Sequence, residues 1–247
     1  MILVTCVQAL LIAFYTLVIG SAIVLLVLIV RIPGIQNTAY SLSKIYCVLS
    51  LKTCFVKLRV KGIENIDPNG QYVFMSNHVS YFDIPAVAMA LPNQMRWVYK
   101  KELAKVPFFG WAVKSIGHIL VDRGNRSQAI ESLKNSLSRL SGNASIMIFP
   151  EGTRSKSGDL LPLKKGGFHI ALHSGFPIVP VAIRGSGDIM RKGTFRINPG
   201  TIEVEIFSPI ETDGYGTGRI HELVERVQKV MQEGVNREAA QSNPSRE

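Results

Sequence analysis

Acidic residues are scarce in this chain. Eighteen Asp and Glu stand against 28 Lys and Arg in 247 residues, a formal net charge of +10 and an isoelectric point near 9.7. Charged residues of both signs reach only 19%, hydrophobic ones reach 47%, and mean hydropathy is positive at +0.19. Those values point toward a membrane, and the cationic excess favours anionic partners: nucleic acid, acidic lipid or phosphorylated substrates. Aromatics are only 8%, and no Arg/Gly or aromatic-basic repeat occurs, so no nucleic-acid module is recognisable. Cysteine is limited to Cys6, Cys47 and Cys54. None forms a CxxC and no His cluster stands nearby, so no metal site is expected and the thiols read as reduced and structural in a cytosol-facing protein. A G-x-S-x-G elbow is missing too, which leaves a serine nucleophile unsupported. There is no internal repeat.

What is present begins with an uncharged stretch. Met1 to Val30 carries no Asp, Glu, Lys or Arg and is apolar on every face. About 20 such residues span a bilayer. A buried core helix is too short an explanation for such a run. A secretory signal lacks its basic start and its A-x-A site here. Gly20-Ser21 is a candidate kink or re-entrant bend. Arg31 ends the run, and Lys44, Lys52, Lys57, Arg59 and Lys61 follow, which puts the rest of the chain on the cytoplasmic side. Residues 32–60 mix Tyr40, Ile45, Leu51 and Phe55 with lysines, the composition of either an interfacial helix or an ordinary packed one.

The remainder alternates short apolar runs with polar handovers. Strands are expected at Tyr72–Ser76, Met95–Tyr99, Ile119–Val121, Ala144–Phe149 and Ile178–Ile183, each followed by charged, polar or Gly-rich residues. A further start of the sheet is expected near Leu58–Ile63. Continuous apolar runs suit strands buried on both faces. Ile130, Leu133, Leu137 and Leu140 keep helical spacing between Asn125 or Ser127 and Gly142, and Gly167–Ser174 reads as a second helix ended by Gly175. Asp67-Pro68-Asn69-Gly70 is a turn. Thr201–Phe207 alternates as a half-exposed edge strand should. Ile220, Leu223, Val227 and Met231 mark an amphipathic C-terminal helix that Gly234 should end. The fold expected is α/β, a mostly parallel sheet flanked by helices, with an N-terminal hydrophobic membrane-anchoring helical segment. Its divisions are an anchor at 1–31, an interfacial or connecting helix at 32–60, a catalytic domain at 61–234 and a polar tail at 235–247. Its ligand site belongs at the carboxyl ends of the strands.

Four segments carry chemistry. Ser76-Asn77-His78-Val79-Ser80-Tyr81-Phe82-Asp83 follows a strand and precedes Pro85, which suits a first helical turn. Five positions put His78 and Asp83 on different sides of a helix, so a turn that curls back is needed to join them. Joined, the carboxylate fixes the imidazole tautomer and leaves the other nitrogen as a base. Taken singly, a helix cap by Asp83 explains the stretch as well. Phe149-Pro150-Glu151-Gly152-Thr153-Arg154-Ser155 offers an arginine fork for phosphate on a Gly-bent loop, or a plain surface Glu–Arg pair. Lys100-Lys101-Glu102-Leu103, with Pro107 to Gly110, Gly117 and Asp122-Arg123, is either a phosphate site or a solvated turn. Val179-Pro180 is core strand or the wall of an apolar groove.

In this order and spacing, over roughly residues 72–183, the four segments resemble the blocks of the 1-acyl-sn-glycerol-3-phosphate acyltransferases, the lysophosphatidic acid acyltransferase family of phospholipid synthesis. The resemblance implies acyl transfer from acyl-CoA or acyl carrier protein to the sn-2 hydroxyl of lysophosphatidic acid, with no cofactor and no metal. It implies His78 as general base and Asp83 as its orienter. Glu151 and Arg154 would bind the glycerol phosphate, helped by Lys100 and Arg123, on a loop shaped by Gly152 and Thr153. Val179 and Pro180 would lie on the acyl-chain side. Lys101 competes with Lys100 for the place facing the site. Partners would be the two substrates and an anionic membrane surface, not nucleic acid. Rival readings are a related acyltransferase that uses glycerol 3-phosphate, a lysophospholipid or an acylated sugar, a tethered lipid-binding protein without catalysis, and a hydrolase.

Overall fold

The computed structural model describes residues 2–30, 32–121 and 143–241. Arg123 and the helix expected from Ile130 to Leu140 lie outside the described residues. Seven strands form one sheet in the order β1-β7-β6-β2-β5-β3-β4. They are β1 Val56–Lys61, β2 Val73–Ser76, β3 Met95–Lys100, β4 Ile119–Val121, β5 Ser145–Ile148, β6 Ile178–Arg184 and β7 Gly200–Ile206. Every neighbouring pair is parallel except β6 with β7.

Side chains alternate across the sheet because successive Cβ atoms point to opposite faces. Phe74, Met147, Val179 and Val181 join one buried cluster. Val73, Met75, Ile146, Ile148 and Ile178 join the other. The first face is covered by α1 (Ile2–Ile29), α2 (Ile35–Thr53), α3 (Asp83–Ala90) and α4 (Phe109–Ser115). The second is covered by α5 (Lys165–Ser174) and α7 (Ile220–Gln241), while α6 (Ser186–Ile189) is a single turn after β6.

Helix α1 runs unbroken through Gly20-Ser21. Gly20 serves contact instead: a Cβ there would stand 3.3 Å from the Phe108 carbonyl oxygen. Most of α1 is exposed apolar surface, including Ile2, Leu10, Phe14 and Leu28. By length and composition it can cross a membrane, with a mean hydropathy of 2.7. Helix α2 packs against α1 and α3 and buries Tyr40, Cys47 and Leu51, so it is a packed helix. The three cysteines are free thiols.

Two expectations need correction. Thr201–Phe207 is not an edge strand. β7 lies between β1 and β6, and its charged side chains are occupied: Glu203 pairs with Lys61 and Arg184, and Glu205 with Arg184 and Arg237. Alternation there reports ion pairs, not solvent. Gly234 does not end the last helix, which continues to Gln241. A Cβ on Gly234 would stand 2.6 Å from Phe207 and 2.7 Å from Ala182. The glycine lets α7 approach the sheet, so residues 235–241 belong to the fold and not to a tail.

Candidate active site

The site lies at the carboxyl ends of β2 and β5, neighbours at the centre of the sheet. β2 ends at Ser76, and Asn77 continues its pairing with a side chain. The Asn77 amide donates to the Ile183 carbonyl at 2.9 Å, and the Ile183 N–H donates to Asn77 Oδ1 at 2.7 Å. The backbone is then free to turn. Val79 and Ser80 donate N–H bonds to Asp83 Oδ2 at 2.7 and 2.8 Å, and His78 Nδ1 lies 2.7 Å from the same oxygen. This is the curl that five-residue spacing requires. Asp83 is fully buried, whereas the His78 side chain is 16% exposed. A carboxylate only accepts, so Nδ1 carries the hydrogen and Nε2 keeps a lone pair. The His78 ring also stacks on Phe149, with centroids 3.9 Å apart at 11°. Asp83 is the first residue of α3 and not its cap. Because it occupies the Val79 and Ser80 amides, any donors for a developing oxyanion come from elsewhere.

The Glu151–Ser155 loop is tied to His78 from the β5 side. Ser155 N–H donates to the His78 carbonyl at 2.7 Å. Gly152 takes a left-handed φ of 74°, open to glycine at little cost. Glu151 is tied to the backbone on both sides of the site. It is buried, and its two oxygens accept from the N–H groups of His78 at 2.5 Å and Leu161 at 2.8 Å. Burial pushes its carboxyl up to about 7, against the pull of those two backbone donors. Glu151 thus links the His78 turn to the backbone at Leu161.

Arg154 lies over Tyr81, its guanidinium carbon 3.6 Å from the ring centroid. One of its terminal nitrogens has no hydrogen-bond partner among the described residues. Cation–π stacking holds the fork while leaving a donor for an anion. Thr153 and the Arg154 carbonyl are held by Lys192, whose ammonium donates at 3.1 and 2.7 Å. The neighbouring Met190 carbonyl accepts from Ser80 Oγ at 2.8 Å. Sequence reading missed Lys192, which stands 38 residues from Arg154 without a motif of its own. Tyr81 and Phe149 lay inside motifs already singled out, but as unassigned aromatics.

Lys100 ends β3, one strand beyond β5, with its ammonium 3.4 Å from Glu102. Val179 and Pro180 are buried in β6, Val179 within the core. That burial is what the core-strand alternative describes. Pro180 is tolerated in a central strand because its missing donor falls between the Ile178–Ile210 bridge and the first β6–β7 ladder pair, Val181 with Ile206.

Residues 57–184 match the family described as Acyltransferase. This chain belongs to that acyltransferase family. A 1-acyl-sn-glycerol-3-phosphate acyltransferase of coconut, Cocos nucifera, is 41% identical over 160 residues, covering 64% of this chain and 52% of that protein. One of Salmonella typhimurium is 32% identical over 181 residues, covering 73% of each. The chain thus spans about half the length of the coconut relative. The fold is that of the 1-acyl-sn-glycerophosphate acyltransferase PlsC of Thermotoga maritima, with a TM-score of 0.81 at 24% identity over 99% of this chain and 98% of that one.

Proposed function

We propose that this acyltransferase moves a fatty acyl group from acyl-CoA or acyl carrier protein to the sn-2 hydroxyl of 1-acyl-glycerol-3-phosphate, giving phosphatidic acid. The names of its relatives support that substrate class. The observation that carries the reading is the 2.7 Å contact between His78 Nδ1 and Asp83 Oδ2, with the Arg154 fork held on the same turn by Tyr81. The acceptor phosphate binds Arg154, with Lys100 adding positive charge from the next strand end but one. His78 Nε2 takes the hydroxyl proton as the oxygen attacks the thioester carbonyl. Asp83 stabilises the imidazolium that forms. The tetrahedral intermediate collapses, the C–S bond breaks, and the proton passes from His78 to the departing thiolate. Both substrates bring all the atoms required, so the scheme uses no cofactor.

Helix α1 is the anchor in this reading, and the cations that follow it keep the catalytic domain on the cytoplasmic side. An acceptor with one acyl chain resides in the bilayer, and a tethered site meets it there. The test is thiol release by the purified full chain from acyl-CoA and lysophosphatidate, each omitted in turn. Thiol that appears only with both substrates, together with phosphatidic acid, supports transfer. Thiol with free fatty acid and no need for acceptor indicates a hydrolase and sinks the proposal, as does an absence of thiol with both acyl-CoA and acylated carrier protein as donor.

A further inference from the structure

The turn after β6 takes no part in that scheme. It borders a cavity of about 170 Å³ that is also lined by Val79, the residue after His78, and Lys156, the residue after Ser155. That is several times the space one water needs. Gly187 keeps the turn close to the catalytic loop, since a Cβ there would stand 3.0 Å from Val79 Cγ1. Arg191 contributes a second cation to the lining. Among the described residues neither Lys156 nor Arg191 forms an ion pair. Ser186 also lines the cavity, and its buried hydroxyl has no hydrogen-bond partner among the described residues. Arg184 at the base is already neutralised by Glu203 and Glu205. The Asp188 carboxylate on the rim offsets one of the two free cations, so a positive excess remains.

We propose that this cavity is a second phosphoryl-binding site, separate from the one assigned to Arg154. A phosphoryl group offers several strong acceptor oxygens on one tetrahedral centre, which suits a lining that holds an ammonium, a guanidinium and an unpaired hydroxyl. The chemistry of the reaction calls for such a site. Both reactants are phosphorylated, the acceptor on its glycerol and the donor on its carrier arm, and one arginine fork serves one of them. The place beside His78 rests on the acyl-transfer reading; the affinity for a phosphoryl group rests on the cavity alone. Three sources share this chemistry: the donor's carrier arm, the lipid headgroup and free phosphate.

The experiment is calorimetric titration of the detergent-solubilised full chain with CoA, with lysophosphatidate and with inorganic phosphate. Three variants accompany the wild type: Lys156→Gln combined with Arg191→Gln, Ser186→Ala, and Arg154→Gln. The first alters exposed side chains and the second removes a hydroxyl without a hydrogen-bond partner among the described residues, so both should fold. At least one ligand should bind about tenfold more weakly to the double variant. That ligand should bind about threefold more weakly to Ser186→Ala; CoA or phosphate should bind unchanged to Arg154→Gln, whereas lysophosphatidate, whose phosphate the proposed scheme gives to Arg154, should weaken there as well. A loss confined to CoA assigns the site to the donor arm, one confined to lysophosphatidate assigns it to the headgroup, and one confined to phosphate assigns it to the free ion. Unchanged binding of all three to the double variant overturns the proposal. So does an equal loss of CoA or phosphate in Arg154→Gln, or a Ser186→Ala variant that binds as wild type. A wild type that fails to release thiol leaves these titrations standing, so the two readings fail separately.

Discussion

His78 is held from three directions. Asp83 fixes the ring through Nδ1, Phe149 supports its face, and Glu151 holds its backbone N–H. Removing the base should matter far more to rate than to folding. His78→Ala is expected to lower kcat by about 10²–10⁴, measured as thiol release, with an unfolding transition close to wild type. Activity within tenfold of wild type would exclude the general-base role. Arg154→Ala should raise the acceptor KM and leave the donor KM nearly unchanged, because the fork meets only the phosphorylated glycerol in this scheme; an unaltered acceptor KM removes the assignment. Glu151 predicts a pH effect on stability. Its carboxyl is pushed up to about 7 in the folded chain, against about 4.3 for an unperturbed Glu. Below that lower value both states are protonated and the contribution is complete. As pH rises toward 7 the unfolded chain ionises first, so stability should fall through that window and level off above it. Urea midpoints at pH 5 and pH 8 test this, and Glu151→Gln, which cannot ionise, should flatten the difference.

Elements decide what the sequence could reveal. The β2, β5 and β6 strands were legible because each is buried on both faces and reads as a mainly apolar run; β3 was legible from its apolar residues although Arg96 interrupts them. Their handovers were legible because polar residues gather where strands end. β7 misled because its alternating glutamates face cations from β1, β6 and α7, and such partners are distant in sequence. Gly234 misled because a glycine that ends a helix and one that lets two elements touch look alike in a string. Glu151 was read from its loop, but its bonds to the amides of His78 and Leu161 were not legible, because only the fold brings them to it. Asn77 is the element-scale test. Its side chain supplies the last two bonds of the β2–β6 pairing. Asn77→Ala leaves a buried N–H and C=O of Ile183 without those partners, at roughly 1–3 kcal/mol for each group left unsatisfied. Urea unfolding should register that loss, and kcat should fall as the His78 turn loosens. A midpoint unchanged within error would mean water or backbone replaces both bonds.

At the scale of the molecule, two forces bear on membrane attachment, and they respond differently to salt. The net charge of +10 attracts acidic headgroups at about 1 kcal/mol for each cation near the surface, an attraction that fades beyond roughly 3 Å at 1 M salt. The 28-residue α1 has only 11% of its most apolar window buried within the protein, and apolar surface moved out of water is worth about 25 cal/mol per Å² whatever the salt. Summed over a helix of that length, the apolar contribution exceeds the electrostatic one. The full chain bound to vesicles containing acidic lipid should therefore stay in the pellet through washes at about 1 M salt and leave it only with detergent. Turnover on the same vesicles should nevertheless slow as salt rises, because screening weakens capture of an anionic acceptor by Arg154 and Lys100. Release by salt alone would show that the apolar face of α1 is not seated in lipid, and the anchor would have to be sought elsewhere in the chain.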